Sequence, residues 1–596
     1  MAATNYLWDV RETKFVVKEW LDMDKLLSMP TYSDYWTKED IDTFIDVTQK
    51  IARDVLAPAN EEGDNIGARF IDGQVVLPQG IMDSYKTVVE AELGPQGNDR
   101  EAEGRLPRVF LSVLSEMLTG ANPCMTPYWG LSGAAAEVIQ HNGNEELKAK
   151  VLPKMFAGEW AGTMNLTEPG AGSEVGAALT KAYATDTPGY YRIKGQKCFI
   201  TGGDHQMTEN LIHLVLARIE GAKAGTAGIS LFVVPKFRIN DDGSVGESND
   251  VLTAGIEHKM GIKGSATATL SFGENDNCYG WLVGNPPDET GKAEGMKQMF
   301  EMMNEARLGT GLLALACASE AYYNAREYCK TRIQGTKLTD PKGPRVRIIE
   351  HEDIRRMLLH QKACTEACRA LIMKTYWYFD MSADATDPEE REHCENMFMI
   401  NNPMCKAYPT EMGWPLIGEA IQCYGGYGFM EEYPVAQLAR DVKIYSIWEG
   451  TTYIQSMDLV GRKFMMGKGK PFMKWMGELG AFIETNKNTE GFTAEFAMLG
   501  EAYAAFGGIL GNFQTYLKEG KITMMPLFAT RILQAMSMVY CGMLMLDQGL
   551  LAARKLAELG DAHYDANFYK GKIASAKFYV MNEVPLIFSI DKMIKA

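Results

Sequence analysis

Residues 440–452 read RDVKIYSIWEGTT, and they place one carboxylate at the end of a hydrophobic run. Glu449 lies between the indole of Trp448 and a glycine. Because apolar surroundings disfavour a charged carboxylate, they raise the pKa of its carboxyl group and suit a general base that works near neutral pH. Taken alone, a glutamate before a glycine is more often a solvated turn, so the functional interpretation depends on the motifs that accompany it.

Two further motifs precede this stretch, and both contain glycine. Residues 332–335 read RIQG, and residues 421–429 read IQCYGGYGF, an apolar helix end that runs into a glycine turn. Such a glycine is typical of a C-terminal helix cap. The cap is the simpler interpretation of the second motif when it stands alone.

Two motifs rich in glycine and hydroxyl groups lie nearer the N-terminus. Residues 166–174 read LTEPGAGSE, whose glycines permit close backbone approach. The motif suits the binding of a polar ring edge or a phosphate. The same composition is also typical of a simple turn between a helix and a strand. Residues 195–202 read GQKCFITG, and period-two alternation predicts that Phe199 and Thr201 face the same side of a strand and contact a flat ring. Alone, this motif is a weak signal, because most such strands only fill a core.

Taken together, the ordered motifs resemble the acyl-CoA dehydrogenase family. The similarity covers residues 41–463 and includes TEPGAGS, GQKxxIT, RIQG, QxxGG and RDxKIxxIxEGT, in the family's order. Within the family, the chain is similar to the long subgroup that includes 3-methylmercaptopropionyl-CoA dehydrogenase. That similarity rests on an N-terminal extension, the segment EHEDIRRM at 350–357 and an added C-terminal block.

The expected fold class is mainly α with a central antiparallel β-domain, as in the family's helical domain, β-barrel or sandwich and four-helix bundle, plus an extra C-terminal helical domain. The expected domains are an N-terminal helical domain with its extension (1–160), a β-domain (161–285), a helical bundle with the catalytic base (286–464) and the additional helical domain (465–596). A helical stripe covers 41–56, and Pro58 is expected to end that helix. No strand is expected before residue 160.

Composition narrows the function classes. The 596 residues carry a formal net charge of −17, which argues against a general nucleic-acid binder because such proteins need a basic surface for phosphates. There is no GxGxxG at a strand-to-helix turn, no Walker A sequence, no GxSxG and no HExxH. Eight histidines and eleven irregularly spaced cysteines predict no metal site, and the cysteines are expected to be buried thiols of a reducing compartment.

Targeting and membrane signals are weak in this sequence. The N-terminus lacks the apolar core of a signal peptide. The best membrane candidate, 532–546, falls short of the ~20 residues that a span needs. We therefore expect a buried helix there, no membrane span and a cytoplasmic protein.

The resemblance implies FAD-dependent α,β-dehydrogenation of an acyl-CoA thioester to the 2-enoyl-CoA, in fatty acid or carboxylic acid degradation. Glu449, at the family's base position, would remove the α-proton while the β-hydrogen leaves as hydride to flavin N5. Electrons would then pass to an electron-transfer flavoprotein. We further expect the C-terminal block to cover a surface that other members use for tetramer contacts, which leaves a homodimer.

The resemblance also assigns cofactor and substrate contacts residue by residue. The FAD-contacting positions are occupied by Met164, Leu166, Thr167, Gly172, Ser173, Phe199, Thr201, Arg332, Gln422, Gly425, Gly426, Thr451 and Thr452. The substrate-side positions are occupied by Ser173, Asn304, Arg307, Trp448 and Gly450. Met164 stands where the family often has Tyr and Phe199 where it commonly has Trp, and RIQG lacks the Phe of the usual RxxFG.

Three alternatives remain open. An acyl-CoA oxidase would pass electrons to O₂, an enoyl-CoA reductase would run the reaction in reverse, and a non-catalytic CoA- or flavin-binding partner would lack the base. Because Glu449 is present, the sequence favours an enzyme over the last of these. The acyl group is open, although the segment 121–129, which lines the acyl end in family members, contains no cation and so disfavours a free distal carboxylate.

Overall fold

The computed structural model describes residues 6–596, which form two compact units. The helical unit contains the described residues up to Ile45, together with Pro107–Glu116 and Arg307–Ala596. The sheet unit contains Asp46–Leu106 and Met117–Ala306. The division into four domains stays a prediction.

The described residues form eighteen α-helices. They are α1 (Val10–Lys14), α2 (Met23–Leu27), α3 (Lys38–Ile51), α4 (Ala57–Ile66), α5 (Gln79–Glu90), α6 (Arg108–Ala121), α7 (Thr126–Asn142), α8 (Glu145–Phe156), α9 (Gly295–Thr331), α10 (Glu352–Asp384), α11 (Pro388–Tyr424), α12 (Pro434–Val442), α13 (Thr452–Gly461), α14 (Lys470–Asn486), α15 (Thr493–Lys518), α16 (Met524–Leu559), α17 (Ala566–Asn582) and α18 (Ile587–Lys595).

Twelve β-strands lie in the described residues. They are β1 (Arg69–Ile71), β2 (Gln74–Val76), β3 (Trp160–Asn165), β4 (Lys181–Ala184), β5 (Tyr190–Thr201), β6 (Asn210–Ile219), β7 (Ser230–Pro235), β8 (Phe237–Ile239), β9 (Val245–Ser248), β10 (Val251–Ile256), β11 (Thr267–Phe272) and β12 (Tyr279–Leu282).

The main sheet of the sheet unit has eight strands in the order β10-β11-β5-β12-β7-β6-β3, and β4 pairs with both β5 and β6. Because β5, β12, β7 and β6 are already neighbours in that order, β4 closes these strands into a ring. Closure of this kind removes open sheet edges. The mainly helical fold class with a β-barrel or sandwich and an added C-terminal helical region is confirmed.

Strand β6 shows why the sheet has a core on both faces. Its residues Ile212, Leu214 and Leu216 pack into a cluster with apolar side chains of α7 and α8. The alternate residues Val215 and Ala217 pack into a second cluster inside the sheet. Since successive side chains of a strand point to opposite faces, a strand covered on both sides is mostly apolar, as β6 is from Leu211 to Ala217 apart from His213.

Two strands lie before residue 160, where none was expected, so that expectation was wrong. Strands β1 and β2 form an antiparallel hairpin whose turn is Asp72-Gly73, with φ of +50° and +81°. Asp-Gly between short β-forming runs is the preferred sequence of such a two-residue turn. The expectation of an antiparallel domain also needs a correction, because β6 pairs in parallel with β3 and with β4.

Pro58 does not end the helix that begins at Lys38. A π-helical segment, Ala52–Leu56, follows α3, and α4 continues from it with Pro58 in its first turn. Because Pro58 follows a π-helical segment directly, its missing N–H falls where the α-helical hydrogen-bond pattern is already interrupted.

In the helical unit, α10 and α11 pack along each other, and α16 packs against both of them and against α13. The C-terminal helices therefore cover the bundle that contains residues 440–452. Of the described helices, only α16 is long and apolar enough to cross a membrane, but 72% of its most apolar window is buried inside the protein. That burial agrees with a core helix. All eleven cysteines of the chain lie in the described part, where all are buried and none forms a disulfide.

Candidate active site

Glu449 lies in the turn that precedes helix α13. Its φ is +54°, in the left-handed region that a non-glycine residue adopts at an energetic cost. The side-chain amide of Gln455 donates to the backbone carbonyls of Glu449 and Gly450, at 3.2 and 3.3 Å. These bonds hold the turn in one conformation, so the direction of the carboxylate is determined by the backbone.

The carboxyl group of Glu449 has the electrostatic properties of a general base. Burial raises its pKa to about 7, although the positive charges of Lys406 and Arg307 act to lower it. Its Oε2 atom is buried and has no hydrogen-bond partner among residues 6–596. A carboxylate that titrates near neutrality, with one oxygen available, can accept a proton from a bound substrate.

Arg307 lies on α9 and is 3% exposed. Its Nη1 donates to the carboxylate of Asp458 on α13 at 3.1 Å. The Nε of Arg462 lies 2.8 Å from the other oxygen of the same carboxylate. The predicted substrate-side arginine is therefore held next to the base by an ion pair, with its charge acting on Glu449.

Sequence reasoning missed Lys406, which lies on α11 and is fully buried. Burial lowers its pKa to about 8, against the opposing effect of the charges of Glu449 and Glu411. The available signal was a single charge in the otherwise apolar run PMCKAY, residues 403–408. A lysine is almost never fully buried unless its charge is paired.

Trp448 and Gly450 flank the base. The indole of Trp448 packs at 5.5 Å from the ring of Tyr445, and its Nε1 is buried without a partner in the described chain. Gly450 has a φ of +84°, and a Cβ atom there would lie 2.7 Å from the Gln455 amide nitrogen. Only glycine fits this position without displacing the side chain that holds the turn.

The two threonines after Gly450 already have partners. The hydroxyl oxygen of Thr451 accepts from the N–H of Ile454 at 3.3 Å and caps α13. The hydroxyl of Thr452 donates to the carboxylate of Glu411 on α11. Both side chains lie at the N-terminus of α13, where free N–H groups favour a negatively charged ligand.

Gln422, Gly425 and Gly426 lie at the far end of α11 from Lys406. At ~1.5 Å per residue, Lys406 and Gln422 are about 24 Å apart along the helix axis. Gly425 has a φ of +63° and caps α11, as the simpler interpretation of the motif predicted. No atom lies within 4 Å of the position that a Cβ would take on either glycine, so open space adjoins this backbone.

Arg332 lies close to the same end of the helical unit. Its guanidinium is 5.5 Å from the ring centre of Tyr427, which follows the glycine pair. The side chains of Arg332 and Gln422 are exposed. The structure thus groups these four predicted residues and keeps them apart from the residues around Glu449.

In the sheet unit, the TEPGAGS loop is fixed by a buried ion pair. Lys197 is 0% exposed, and its Nζ lies 2.8 Å from the carboxylate of Glu168 and 3.1 Å from the carbonyl oxygen of Leu166. The same carboxylate accepts hydrogen bonds from the N–H groups of Leu179 and Thr180 at 2.6 and 3.0 Å. The loop is therefore held at its base, while Gly172 and Ser173 stay exposed.

Phe199 differs from the sequence prediction in its backbone. Its φ is +59°, and the pairing of β5 with β11 shifts register between Lys197 and Ile200. This bulge breaks the alternation that was expected to place Phe199 and Thr201 on one side. Phe199 is 62% exposed and Thr201 only 9%. A large aromatic ring that is held exposed by a strained backbone suggests a ligand-binding role.

The remaining predicted residues of the sheet unit lie near these two motifs or on α9. Met164 is half-buried on β3, Leu166 is buried, and the carbonyl oxygen of Thr167 accepts from the N–H of Cys198 at 2.9 Å. That bond joins the LTEPGAGSE and GQKCFITG motifs. Asn304 is half-buried on α9.

One group of side chains has the spacing of metal ligands. Within the described residues, ligand atoms of His360, Cys364 and Glu583 lie within 4.8 Å of one another. Both nitrogens of His360 already face carboxylates, those of Glu419 at 2.8 Å and Glu583 at 3.1 Å. Although burial opposes it, these carboxylates raise the pKa of His360 to about 9. The group is therefore an ion-paired cluster that joins α10 to α11 and to the end of α17.

Comparison with known proteins supplies the family. The acyl-CoA dehydrogenase middle domain matches residues 163–274, the acyl-CoA dehydrogenase C-terminal domain matches 293–464, and an acetyl-CoA dehydrogenase C-terminal-like domain matches 475–596. A butyryl-CoA dehydrogenase of Syntrophomonas wolfei is 56% identical over 598 residues, which cover 100% of this chain and 98% of the relative. The chain belongs to the acyl-CoA dehydrogenase family.

Members of the long subgroup are also similar to this acyl-CoA dehydrogenase. The 3-methylmercaptopropionyl-CoA dehydrogenase of Ruegeria pomeroyi is 34% identical, covering 85% of this chain and 84% of the relative. The fold matches the crystal structure of a Bacillus anthracis acyl-CoA dehydrogenase complexed with FAD, with a TM-score of 0.73 and 21% identity over 98% of this chain and 91% of that one. The protein is an oxidoreductase, and its cofactor is FAD.

The residues present fit FAD. Phe199 offers an exposed aromatic face of the kind that packs on a flat ring. Gly170 and Gly172 of the TEPGAGS loop have open space beside them, as do Gly425 and Gly426 of the helical unit. Exposed backbone next to glycine can approach phosphate closely.

Proposed function

We propose that this acyl-CoA dehydrogenase oxidises the α,β bond of a short linear acyl-CoA, such as butyryl-CoA, and that Glu449 removes the α-proton. The single observation that supports the base is the Glu449 carboxyl group: it lies in a strained turn, its Oε2 is buried without a partner, and burial raises its pKa to about 7. FAD, when bound, would supply the hydride acceptor for the β-hydrogen.

Two observations support the substrate class. The relative that is 56% identical over the whole chain is a butyryl-CoA dehydrogenase, and the aligned region includes the C-terminal block. The segment 121–129 contains no Lys or Arg, so nothing in it would pair with a free distal carboxylate. A neutral acyl chain therefore fits better than a dicarboxylic one.

The test of the base is anaerobic mixing of the holoenzyme with a panel of acyl-CoAs while the flavin absorbance is followed. We expect butyryl-CoA to bleach the flavin of the wild type. Glu449→Gln should keep its FAD and lose roughly 10²–10⁴-fold in bleaching rate, the typical contribution of a general base, because the amide cannot accept the proton. Wild-type bleaching in the variant would place the base elsewhere.

The matched control is Glu411→Gln, a nearby glutamate whose carboxylate is bonded to Thr452. Its loss should leave bleaching within an order of magnitude of the wild type. Succinyl-CoA serves as the charged competitor in the panel. Faster bleaching by succinyl-CoA than by butyryl-CoA would contradict the proposed substrate class.

The proposal extends to the electron acceptor, the assembly and the compartment. An electron-transfer flavoprotein should accept the electrons, a homodimer should form, and the enzyme should be cytoplasmic. Helix α16 packs on α10, α11 and α13, so less of the bundle surface is free for contacts between subunits. This packing supports a homodimer over a larger assembly. Oxygen uptake during turnover would contradict the first point, and a tetramer in sedimentation the second.

A further inference from the structure

Lys406 is the charged residue near the base that the proposed mechanism does not use. Its side chain is 0% exposed, and its Nζ makes no hydrogen bond within residues 6–596. A buried ammonium without a bonded partner is costly, and a lysine that served packing alone could be replaced by methionine at no such cost. The residue therefore needs an electrostatic explanation.

The helix crossing places Lys406 beside Arg307. Gly311 lies one turn after Arg307 on α9, and a Cβ on Gly311 would come within 1.8 Å of the carbonyl oxygen of Cys405. The backbones of α9 and α11 therefore touch at the residue before Lys406. Helix α11 also packs against α13 and against the 3₁₀ turn Lys443–Ser446, the two elements that flank Glu449.

The charges that face Lys406 come from three elements. They are the carboxylates of Glu449, in the turn before α13, and of Glu411, on α11 itself, and the guanidinium of Arg307, on α9. Arg307 is already paired with Asp458, and Glu411 already accepts from Thr452. Within residues 6–596, neither the Lys406 ammonium nor the Oε2 of Glu449 has a hydrogen-bond partner.

We propose that Lys406 is a positioning residue whose ammonium keeps Glu449 ionised without bonding to the oxygen that takes the α-proton. The proposal rests on the proposed function, in which Glu449 is the base. A direct salt bridge would engage the carboxylate oxygens and depress the basicity of the group, whereas a nearby unbonded charge offsets only part of the effect of burial. The pKa of Glu449 near 7 agrees with such a balance.

The experiment is the pH dependence of anaerobic flavin bleaching by butyryl-CoA, measured at substrate concentrations well below saturation. The rate rises with pH as Glu449 loses its proton, so the midpoint reports the base in the free holoenzyme. Lys406→Met removes the charge and keeps the volume. We expect the midpoint to move up by about one pH unit, since a neighbouring opposite charge shifts a pKa by 1–3 units. Below both midpoints the rate should fall ~10-fold, which corresponds to ~1.4 kcal/mol.

Two comparisons separate charge from structure. Lys406→Arg keeps the positive charge and should restore the wild-type midpoint. Lys463→Met removes another buried lysine, 7% exposed, whose charge neighbours are Asp458, Arg307 and Arg462. Its midpoint should stay within ~0.3 units of the wild type, a shift of less than ~0.5 kcal/mol, because the charges that act on Glu449 are those of Lys406 and Arg307.

The outcomes distinguish the two proposals. If Glu449→Gln still bleaches, the base assignment and the role of Lys406 both fail. If Glu449→Gln is inactive while Lys406→Met keeps the wild-type midpoint, the role of Lys406 alone fails. If Lys406→Met cannot be purified with FAD, Glu411→Gln provides the test, because it leaves Glu449 as the carboxylate that faces Lys406. The midpoint should then move down, and an unchanged midpoint would reject the role.

Discussion

At the scale of single residues, the reactivity of Glu449 depends on its backbone as much as on its surroundings. Glu449 and Gly450 have consecutive positive φ angles, of +54° and +84°. A side chain normally avoids the first, and only glycine adopts the second freely. Because Gln455 bonds to both carbonyls, the strain is held in place by one side chain. The turn therefore directs the carboxylate, and burial sets its proton affinity.

Gly450→Ala should reduce activity through this turn. The new Cβ would disfavour the positive φ by ~1–2 kcal/mol and meet the Gln455 amide at 2.7 Å, so the bonds to the two carbonyls should be lost. We expect the bleaching rate with butyryl-CoA to fall at least ~10-fold, because the carboxylate is displaced from a geometry that proton transfer requires. FAD content, measured by absorbance, should be unchanged.

Gly461→Ala is the matched control for that variant. Gly461 is the last residue of α13, and no atom lies within 4 Å of the position of its Cβ. Its substitution should leave both bleaching rate and FAD content at wild-type values. An active Gly450→Ala enzyme would show that the conformation of the turn is not required.

At the scale of elements, the sheet unit presents two motifs that are joined by backbone and ion-pair contacts. The N–H of Cys198 donates to the carbonyl oxygen of Thr167, and Lys197 reaches the carboxylate of Glu168. Strand β5 thus fixes the TEPGAGS loop from one side, and Leu179 and Thr180 fix it from the other. The bulge at Phe199 leaves its ring exposed next to this loop's anchor.

Lys197→Met should loosen the loop and weaken FAD binding. The variant leaves the carboxylate of Glu168 buried without its cation, and removal of one partner of a buried pair costs ~3–5 kcal/mol. We expect a lower melting temperature and at least ~10-fold faster loss of FAD on dilution, measured by the rise of free-flavin fluorescence. Lys194→Met, on the same strand but half-exposed and paired with Asp276, should change neither quantity. Equal FAD loss in both variants would contradict the anchoring role.

Much of the element pattern was readable from sequence, and the failures have local causes. The long helices and the β-rich segment follow from periodicity and composition. Pro58 was expected to end the helix. The π-helical segment before it, which has no simple sequence signal, instead leads directly into α4. The hairpin at Asp72-Gly73 was missed although its turn sequence is favourable, because its strands are only three residues long.

The parts of the candidate site that lie within contiguous motifs could be predicted from the sequence. Residues 440–452 and 166–174 identified the base and a glycine loop directly. Lys406 could not be assigned from sequence, because its proximity to Arg307 depends on where α9 and α11 cross. The bulge at Phe199 likewise depends on pairing between β5 and β11, which local alternation does not reveal. The three boundaries between the four expected domains stay predictions.

At the scale of the whole molecule, the N-terminal extension and the C-terminal block meet in one buried charge network within the helical unit. Lys572 of α17 is 0% exposed and lies 2.9 Å from Glu12 of α1 and 3.1 Å from Glu366 of α10. Arg369 contributes a second contact to Glu12 at 3.6 Å. The two segments that lengthen this chain therefore depend on each other through side chains 560 residues apart.

Lys572→Met should release the N-terminal extension, with an effect that depends on pH. Burial acts to raise the pKa of Glu12, but the charges of Lys572 and Arg369 hold it below the usual value. A depressed carboxyl pKa contributes stability that is present above the unfolded-state pKa and lost as the pH falls through the folded-state pKa. The variant should therefore lose ~3–5 kcal/mol at pH 7 and less in acid, where the unpaired carboxylates take up protons.

The measurement is thermal unfolding of the holoenzyme between pH 4 and pH 8, with limited proteolysis at pH 7. We expect the gap in melting temperature between wild type and Lys572→Met to widen as the pH rises, and the variant to be cleaved faster near its N-terminus. Lys570→Met removes an exposed lysine of the same helix, paired with Asp561 at the surface, and should behave as the wild type at every pH. A gap that is constant with pH would show that lost packing against Phe15, 4.8 Å from the ammonium, matters more than the charge network.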